Sequence, residues 1–344
     1  MTSDSPLLAD HTTFRVGGPA RHLVTATTER DLIAAVRAAD ARGEPLLVLG
    51  GGSNVLVGDA GFPGTVVVVA TTGEIADESP CAGAYVTVAA GEPWDGFVAR
   101  AVEREWVGLE TLSGVPGSVG ATPVQNVGAY GAEAGQWIGR VRTFDRATGR
   151  VASFAAADCG FGYRTSRFKQ APGRYVILSV EFQLKLGPLS EPIRYAELAA
   201  RLGVPVGERA PLGQVRHAVL ELRRSKGTLV DPADHDTWSA GSFFTNPVLP
   251  AAAAAALPEG APRYPQPDGQ VKASAAWLIE QAGFGKGYGA GPATLSTKHV
   301  LALTNRGGAS AADILALARE VRDGVRAAFG VTLVPEPVLV NCEL

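Results

Sequence analysis

"GVPGSVGATPVQNVGAYG", residues 114–131, holds five glycines (Gly114, Gly117, Gly120, Gly128, Gly131) and two prolines (Pro116, Pro123) within eighteen positions. A helix interior is excluded, because each Gly costs about 0.5–1 kcal/mol against Ala and each Pro about 3 kcal/mol. Disorder fits poorly, since the stretch is almost uncharged and carries Val115, Val119, Val124, Val127 and Tyr130. What remains is an ordered run of nearly bare backbone.

A second bare cluster, "LGGGSN" (49–54), follows the apolar run "PLLVLG". Neither cluster fits the dinucleotide fingerprint GxGxxG, and neither is a Walker A loop. Bare backbone lets amide N–H groups approach an anion directly, and consecutive amides form anion-binding nests. Two such loops can hold one long pyrophosphate ligand from two sides. The alternative is that each is only a tight turn; Ser53, Asn54, Ser118, Gln125 and Asn126, interleaved with the glycines, favour the ligand.

Composition narrows the classes. The chain has 344 residues, 46% hydrophobic and 19% charged, with net charge −3. That is a globular composition with length for two or three domains. The weak negative charge gives no support for nucleic-acid binding or an anionic membrane surface. Cys81, Cys159 and Cys342 lie far apart, and the five histidines form no ligand pair, so no metal site is expected. The N-terminal "MTSDSPLLADHTTF" is no signal peptide, and no apolar run approaches the ~20 residues of a membrane helix. A cytoplasmic protein is expected.

Periodicity places the elements. Residues 27–43, 94–106, 212–227 and 310–330 read as helices, the first capped by Thr28 and the last by Ser310 with Asp313, stopping at Gly330. Residues 45–50, 65–70 and 84–91 read as strands. In "YVILSVEFQLKL" (175–186) strict alternation puts Val176, Leu178, Val180, Phe182, Leu184 and Leu186 on one buried face. The tail "VTLVPEPVLV" (331–340) reads as a strand interrupted by Pro335 and Pro337. Strands mixed with helices in this way predict an α+β protein.

Three further motifs carry chemistry. "FGYRTSRFK" (161–169) sets Arg164, Arg167 and Lys169 among aromatics, and Arg suits bidentate capture of carboxylate or phosphate. The plain alternative is a solvated turn. "SAGSFFTNP" (239–247) carries Ser242 without a GxSxG elbow, so a hydrolase serine is unsupported. Glu336 stands between two prolines on stiff backbone, or is simply an edge-strand glutamate. His299 reads as a strand start and Cys159 as a buried small residue; neither receives a catalytic role.

In their order, "LGGGSN", "PGSVGATPVQNVGAYG", "FGYRTSRFK", "AGSFFTNP" and "PEP" resemble the UDP-N-acetylenolpyruvoylglucosamine reductase family, from about Thr13 to the C-terminus. The resemblance implies the FAD-binding fold of the vanillyl-alcohol oxidase type, in two α+β subdomains, with a third α+β domain over the substrate. The division expected is 1–70 and 71–215 for FAD, with 331–344 returning to the second part, and 216–330 for substrate. It implies non-covalent FAD, NADPH as hydride donor, and the enolpyruvyl ether of UDP-N-acetylglucosamine as substrate, with the chain acting as a monomer in peptidoglycan precursor synthesis. A hydride reaches C3 of the enolpyruvyl group and a proton reaches C2.

The residues that the resemblance assigns to FAD are Gly50, Gly51, Gly52, Ser53, Asn54, Val55, Ser113, Pro116, Gly117, Ser118, Val119, Gly120, Thr122, Gln125, Asn126, Gly128, Ala129, Tyr130 and Ile177. For substrate it implies Tyr163, Tyr195, Arg223, Lys226, Asn246 and Lys286, with Tyr195 on a loop that clamps the diphosphate in one subtype. For catalysis it implies Arg164 to spread charge onto the substrate carboxylate, Ser242 to protonate C2, and Glu336 to polarise the substrate. Thr245 departs from a common lysine, and "AGFGKGYGAG" has an extra glycine beside Lys286. A flavin oxidase of the same fold and a non-catalytic flavin module are the competing readings. The absence of His or Cys from both glycine clusters argues against covalent flavin.

Overall fold

A computed structural model describes residues 6–344. The chain forms two compact units. One is built mainly from Ala20–Gly52 and Pro63–Ser225, the other from Leu7–Pro19, Ser53–Phe62 and Lys226–Leu344.

The first unit opens with β1 (Ala20–Ala26), α1 (Glu29–Ala41), β2 (Leu46–Leu49) and β4 (Phe62–Val69). The strands form a sheet in the order β1-β4-β2. α1 starts where expected because the Thr28 hydroxyl accepts the Asp31 amide at 3.1 Å. It buries Leu32, Val36 and Ala39, one stripe at helical spacing. β2 and β4 run parallel, Leu46 opposite Thr65 through Leu49 opposite Val68. β2 therefore delivers the chain directly into Gly50.

The larger sheet is antiparallel. It comprises β5 (Glu74–Ser79), β6 (Gly83–Ala89), β10 (Ile138–Asp145), β11 (Arg150–Ala155) and β12 (Tyr175–Leu186), in the order β11-β10-β12-β6-β5. Its central strand matches the alternating stretch: Val176, Leu178, Val180, Phe182 and Leu184 are buried. Leu186 is not; it is 39% exposed. The strand end has run past the core and pairs only with the two-residue β7 (Trp106–Val107). Ile177 is also buried, so this strand is covered on both faces at its start. Against the sheet lies α2 (Trp94–Glu103), whose Trp94 and Phe97 rings stand 5.9 and 5.1 Å from Phe182. Each such buried aromatic is worth about 1.5–3 kcal/mol of transfer free energy.

The bare stretch is ordered here. It ends in a hairpin of β8 (Gly128–Ala129) and β9 (Ala132–Glu133). Beyond the short α3 (Arg167–Gln170) and β12, helices α4 (Ala196–Leu202) and α5 (Leu212–Ser225) enclose a small core of their own: Ile193, Leu198, Ala199, Val215 and Val219.

The second unit pairs β3 (Val55–Val57) in parallel with β18 (Val338–Val340). This corrects the expectation that the tail returns to residues 71–215. Pro335 and Pro337 have no amide to offer a ladder. Pairing with β3 begins only at Val338, whose N–H reaches the Asn54 carbonyl at 2.9 Å. The unit also holds β13 (Val248–Leu249), α6 (Ala251–Ala255), β14 (Arg263–Pro265), β15 (Val271–Ala273), α7 (Ala275–Gln281), the hairpin β16 (Ala293–Leu295) and β17 (Leu303–Asn305), and α8 (Ala311–Phe329). α8 has the capping box of Ser310 and Asp313 and stops at Gly330 in the left-handed region. Its Ile314, Leu317, Val321 and Val325 form the centre of the unit's core. Among the described residues no helix is long and apolar enough to cross a membrane.

Candidate functional site

In the first unit the two glycine loops meet backbone to backbone. A Cβ placed on Gly51 would lie 2.7 Å from the Gly117 Cα, and one on Gly50 would lie 2.5 Å from the Ser118 hydroxyl oxygen. Gly52 (φ +61°) and Gly117 (φ +115°) adopt conformations that L side chains rarely take. The loops are therefore held together as a surface without side chains. The amides of Val119 and Gly120 are engaged elsewhere, donating to the Glu92 and Ala90 carbonyls at 2.9 and 2.8 Å. They hold the loop down, which leaves amide capture to their neighbours. Ser113 and Thr122 likewise turn inward, donating to the Glu110 and Val119 carbonyls at 2.6 and 2.8 Å. Pro116 and Gln125 lie in the same stretch.

A loop surface of bare glycine backbone suits the pyrophosphate of a dinucleotide, which packs closer to amides than any Cβ permits. The residues present fit FAD: Gly50, Gly51 and Gly52 on one side, Gly117 and Ser118 on the other. Ser53, Asn54 and Val55 continue the first loop into the second unit, where Val338 bonds the Asn54 carbonyl.

Left-handed backbone marks the same neighbourhood. Of the six non-glycine residues at positive φ among those described, three are candidate site residues: Asn126, Tyr130 and Arg164. Such residues cost free energy and persist only where surroundings over-determine them. Asn126 is fixed by its own side chain. Its amide donates to Glu133 at 2.7 Å and to the Gly162 carbonyl at 3.1 Å, and its carbonyl accepts from Gly135 at 2.8 Å. It is thus a latch between the bare stretch and the Arg164 turn. In that turn, Gly162 and Thr165 exchange both backbone bonds around Tyr163 and Arg164. Arg164 sits at φ +52°, its guanidinium donates to the Gly128 carbonyl at 3.0 Å, and it stands 5.3 Å from the Tyr163 ring. Tyr130 (φ +49°) and Gly131 (φ +84°) are the two central residues of the β8–β9 hairpin, a type I′ geometry. Tyrosine stands there where Asn or Gly is the usual choice.

Tyr130 links the bare stretch to the predicted clamp. Its ring meets Tyr195 edge-on at 5.4 Å. Burial pushes its hydroxyl up to about 12, with Arg223 opposing. Arg223 is itself buried, and burial holds its guanidinium below the usual range against the pull of Tyr130 and Asp95. Burial would raise Asp95, yet the bidentate Arg216, at 2.6 and 3.0 Å, and the Gly114 amide outweigh it and keep it low. Sequence reading found Tyr130, Tyr195 and Arg223 but missed Asp95, in the first turn of α2, and Arg216, within α5, neither with a motif around it. It also missed Glu110, a fully buried carboxyl that accepts the Gly108 and Glu191 amides at 2.7 and 2.9 Å. Burial drives Glu110 upward.

The second unit brings Ser242 and Glu336 together. The Glu336 amide donates to the Phe243 carbonyl at 2.8 Å, and Thr245 donates to Val334 at 3.1 Å. The "SFFT" and "VPEP" segments are therefore neighbouring antiparallel strands in all but length. Asn246 accepts the Ala275 amide at 2.9 Å and so caps the start of α7. Lys286 is exposed on the loop after α7, and Lys226 begins the unit's last segment. His299, expected at a strand start, lies instead in the β16–β17 connection. Its Nε2 is 3.4 Å from the Ser242 hydroxyl oxygen. Cys159 is fully buried, and burial pushes its thiol up to about 11, in keeping with an inert core residue. Among the described residues no cluster of His, Cys, Asp or Glu could hold a metal ion.

Comparison with known proteins agrees with this geometry. Residues 20–155 match the model of an FAD binding domain, and residues 231–340 match that of the UDP-N-acetylenolpyruvoylglucosamine reductase C-terminal domain. The UDP-N-acetylenolpyruvoylglucosamine reductase of Cutibacterium acnes is 62% identical over 340 residues, spanning 98% of this chain and 90% of that one. That of Salinispora arenicola is 57% identical over 346 residues, spanning 98% and 95%. The crystal structure of the enzyme from Thermus caldophilus superposes with a TM-score of 0.64 at 26% identity, covering 98% of both chains. With both glycine loops, the Arg164 turn and the Ser242–Glu336 pairing in place over its whole length, the chain belongs to the UDP-N-acetylenolpyruvoylglucosamine reductase family.

Proposed function

We propose that this chain reduces the enolpyruvyl ether of UDP-N-acetylglucosamine to UDP-N-acetylmuramate through Arg164, Ser242 and Glu336, with the first unit's glycine loops holding FAD. Held by Gly50, Gly51, Gly52, Gly117 and Ser118, FAD would supply the hydride chemistry, with NADPH as the source and C3 of the substrate double bond as the acceptor. The chain's own groups manage the charge and the proton that this creates. Negative charge develops at C2 and spreads onto the adjacent carboxylate as an enolate. Arg164, fixed in a strained turn, offers a pre-set cation to that carboxylate. Ser242 gives its hydroxyl proton to C2; a weak acid serves because the carbon it protonates is the stronger base. Glu336 holds the substrate's pyruvyl end from the segment beside Ser242. The observation that carries this reading is the 2.8 Å bond from the Glu336 amide to Phe243, which seats Ser242 and Glu336 on adjacent segments. Tyr195, Tyr163, Arg223, Lys226, Asn246 and Lys286 grip the nucleotide, and the substrate domain starts at Lys226 rather than at residue 216, since 216–225 pack with α4 in the first unit. The cytoplasm is the compartment proposed for this reaction.

The test is direct. Purified enzyme should be yellow, and NADPH should bleach it without oxygen. Adding the enolpyruvyl UDP sugar should restore the colour anaerobically. Recovery by oxygen but not by the sugar would make the chain an oxidase instead.

Tyr195 is the N-cap residue of α4 and is 39% exposed. If it clamps the diphosphate, Tyr195→Phe should raise the KM for the UDP sugar while flavin reduction by NADPH stays at the wild-type rate. One hydrogen bond to a charged group is worth about 1.5–3 kcal/mol, so the rise should be roughly ten- to a hundredfold. An unchanged KM would remove Tyr195 from the clamp.

A further inference from the structure

From sequence His299 carries no catalytic role, yet the fold builds a rigid seat for it. The β16–β17 connection is pinned at both ends. Ser296, fully buried, accepts the amides of Lys298 and His299 at 3.0 and 3.3 Å and donates its own amide to the Ala302 carbonyl at 2.8 Å. The Ala302 amide in turn closes onto the His299 carbonyl at 3.0 Å. Asp236, also buried, holds the Thr297 amide at 2.9 Å and its hydroxyl at 2.5 Å, and Arg306 holds Asp236 at 2.9 Å. Two residues past His299, the Leu301 carbonyl accepts the Phe243 amide at 2.7 Å, which ties this connection to the Ser242 segment. The result is the 3.4 Å approach of His299 Nε2 to the Ser242 oxygen.

A serine hydroxyl has one hydrogen, and its direction depends on which tautomer the imidazole adopts. With Nε2 bare, the ring accepts that hydrogen and turns it away from substrate. With Nε2 protonated, the ring donates to the oxygen and the hydroxyl hydrogen is left for the substrate carbon. The second arrangement also stabilises the oxygen after the step. The Ser242 O–H bond breaks, the C2–H bond forms, negative charge moves to Ser242, and a hydrogen bond to a charged acceptor strengthens. Solvent water then returns the proton to Ser242.

We infer that His299 is the positioning residue for Ser242, its Nε2–H donating to the hydroxyl oxygen and so aiming the Ser242 proton at the substrate. The inference rests on Ser242 being the proton donor. Two measurements test it on the FAD-loaded enzyme. In protein labelled with ¹⁵N-histidine, His299 should be found protonated at Nε2, with that nitrogen's shift displaced in Ser242→Ala. A neutral ring protonated at Nδ1 would overturn the inference without any mutation of His299. In anaerobic stopped flow, His299→Ala should be reduced by NADPH normally and be reoxidised by the enolpyruvyl sugar about 10–100-fold more slowly. His299→Gln, whose amide N–H can also donate, should recover most of that loss. In a Ser242→Ala background, His299→Ala should slow the step no further. Reoxidation of His299→Ala within about twofold of wild type, or a Gln variant as slow as Ala, overturns the inference. If Ser242→Ala is itself fast, the donor assignment has failed; if only the His299 variants are fast, the positioning role alone has.

Discussion

Ser242→Ala is expected to keep its flavin, to be reduced by NADPH at the wild-type rate, and to reoxidise 10²–10⁴-fold more slowly with the enolpyruvyl substrate, about 3–5 kcal/mol of barrier. The asymmetry between half-reactions separates chemistry from architecture. Ser242 lies between Gly241, at φ +70°, and Phe243, which is fully buried. A purely structural serine here would cost about 0.5–2 kcal/mol of stability, as a lost cap does, and both half-reactions would suffer only through lost protein. Ser242→Cys should retain more activity than Ala, because a thiol still carries a proton to give. Stopped-flow traces of the two half-reactions decide between these. Reoxidation of the alanine variant within about tenfold of wild type removes Ser242 as the donor and returns attention to Arg164 and Glu336.

Much of this site was legible because its chemistry depends on unusual residues in sequence. Glycine where a backbone must pass within contact distance of another cannot be replaced quietly, so "LGGGSN" and residues 114–131 stood out before any fold was known. The alternating β12 and the capped α1 and α8 were read from periodicity and hydroxyl placement for the same reason: local rules agree with the final structure. What stayed hidden was non-local. Asp95 and Arg216 are an ordinary pair until α2 and α5 are placed side by side, 121 positions apart in sequence. Gly162 and Asn126 are likewise joined only by the fold. The left-handed backbone of Tyr130 and Arg164 has no signature in residue type, since both are residues that usually avoid it. His299 lost its place because its meaning depends on Leu301 holding the Ser242 segment, a contact no spacing rule announces. The tail was misplaced because prolines announce where pairing stops but not which strand resumes it.

Gly51→Ala is expected to purify without FAD. One methyl group suffices, because the added Cβ would lie 2.7 Å from the Gly117 Cα and 3.2 Å from its carbonyl carbon. Both are backbone atoms in a loop fixed by the Trp94 amide on the Gly117 carbonyl at 3.0 Å and by the Val119 and Gly120 amides. A flexible side chain could swing aside; this loop must move as a unit, and it is the surface proposed to hold the pyrophosphate. Gly50→Ala should be milder, since its first obstacle is the Ser118 hydroxyl at 2.5 Å, a side-chain atom that can rotate. Gly213→Ala supplies the control for general damage. It lies in α5 with nothing within 4 Å of the new methyl, so the change should stabilise the protein by about 0.5–1 kcal/mol and leave FAD in place. Flavin content per chain after purification, and the recovery of yellow colour on adding FAD back, measure the effect. Circular dichroism shows whether Gly51→Ala remains folded. A folded Gly51→Ala that binds FAD as tightly as wild type would mean the two loops do not form the cradle, and the proposed pyrophosphate grip would have to be sought elsewhere in the first unit.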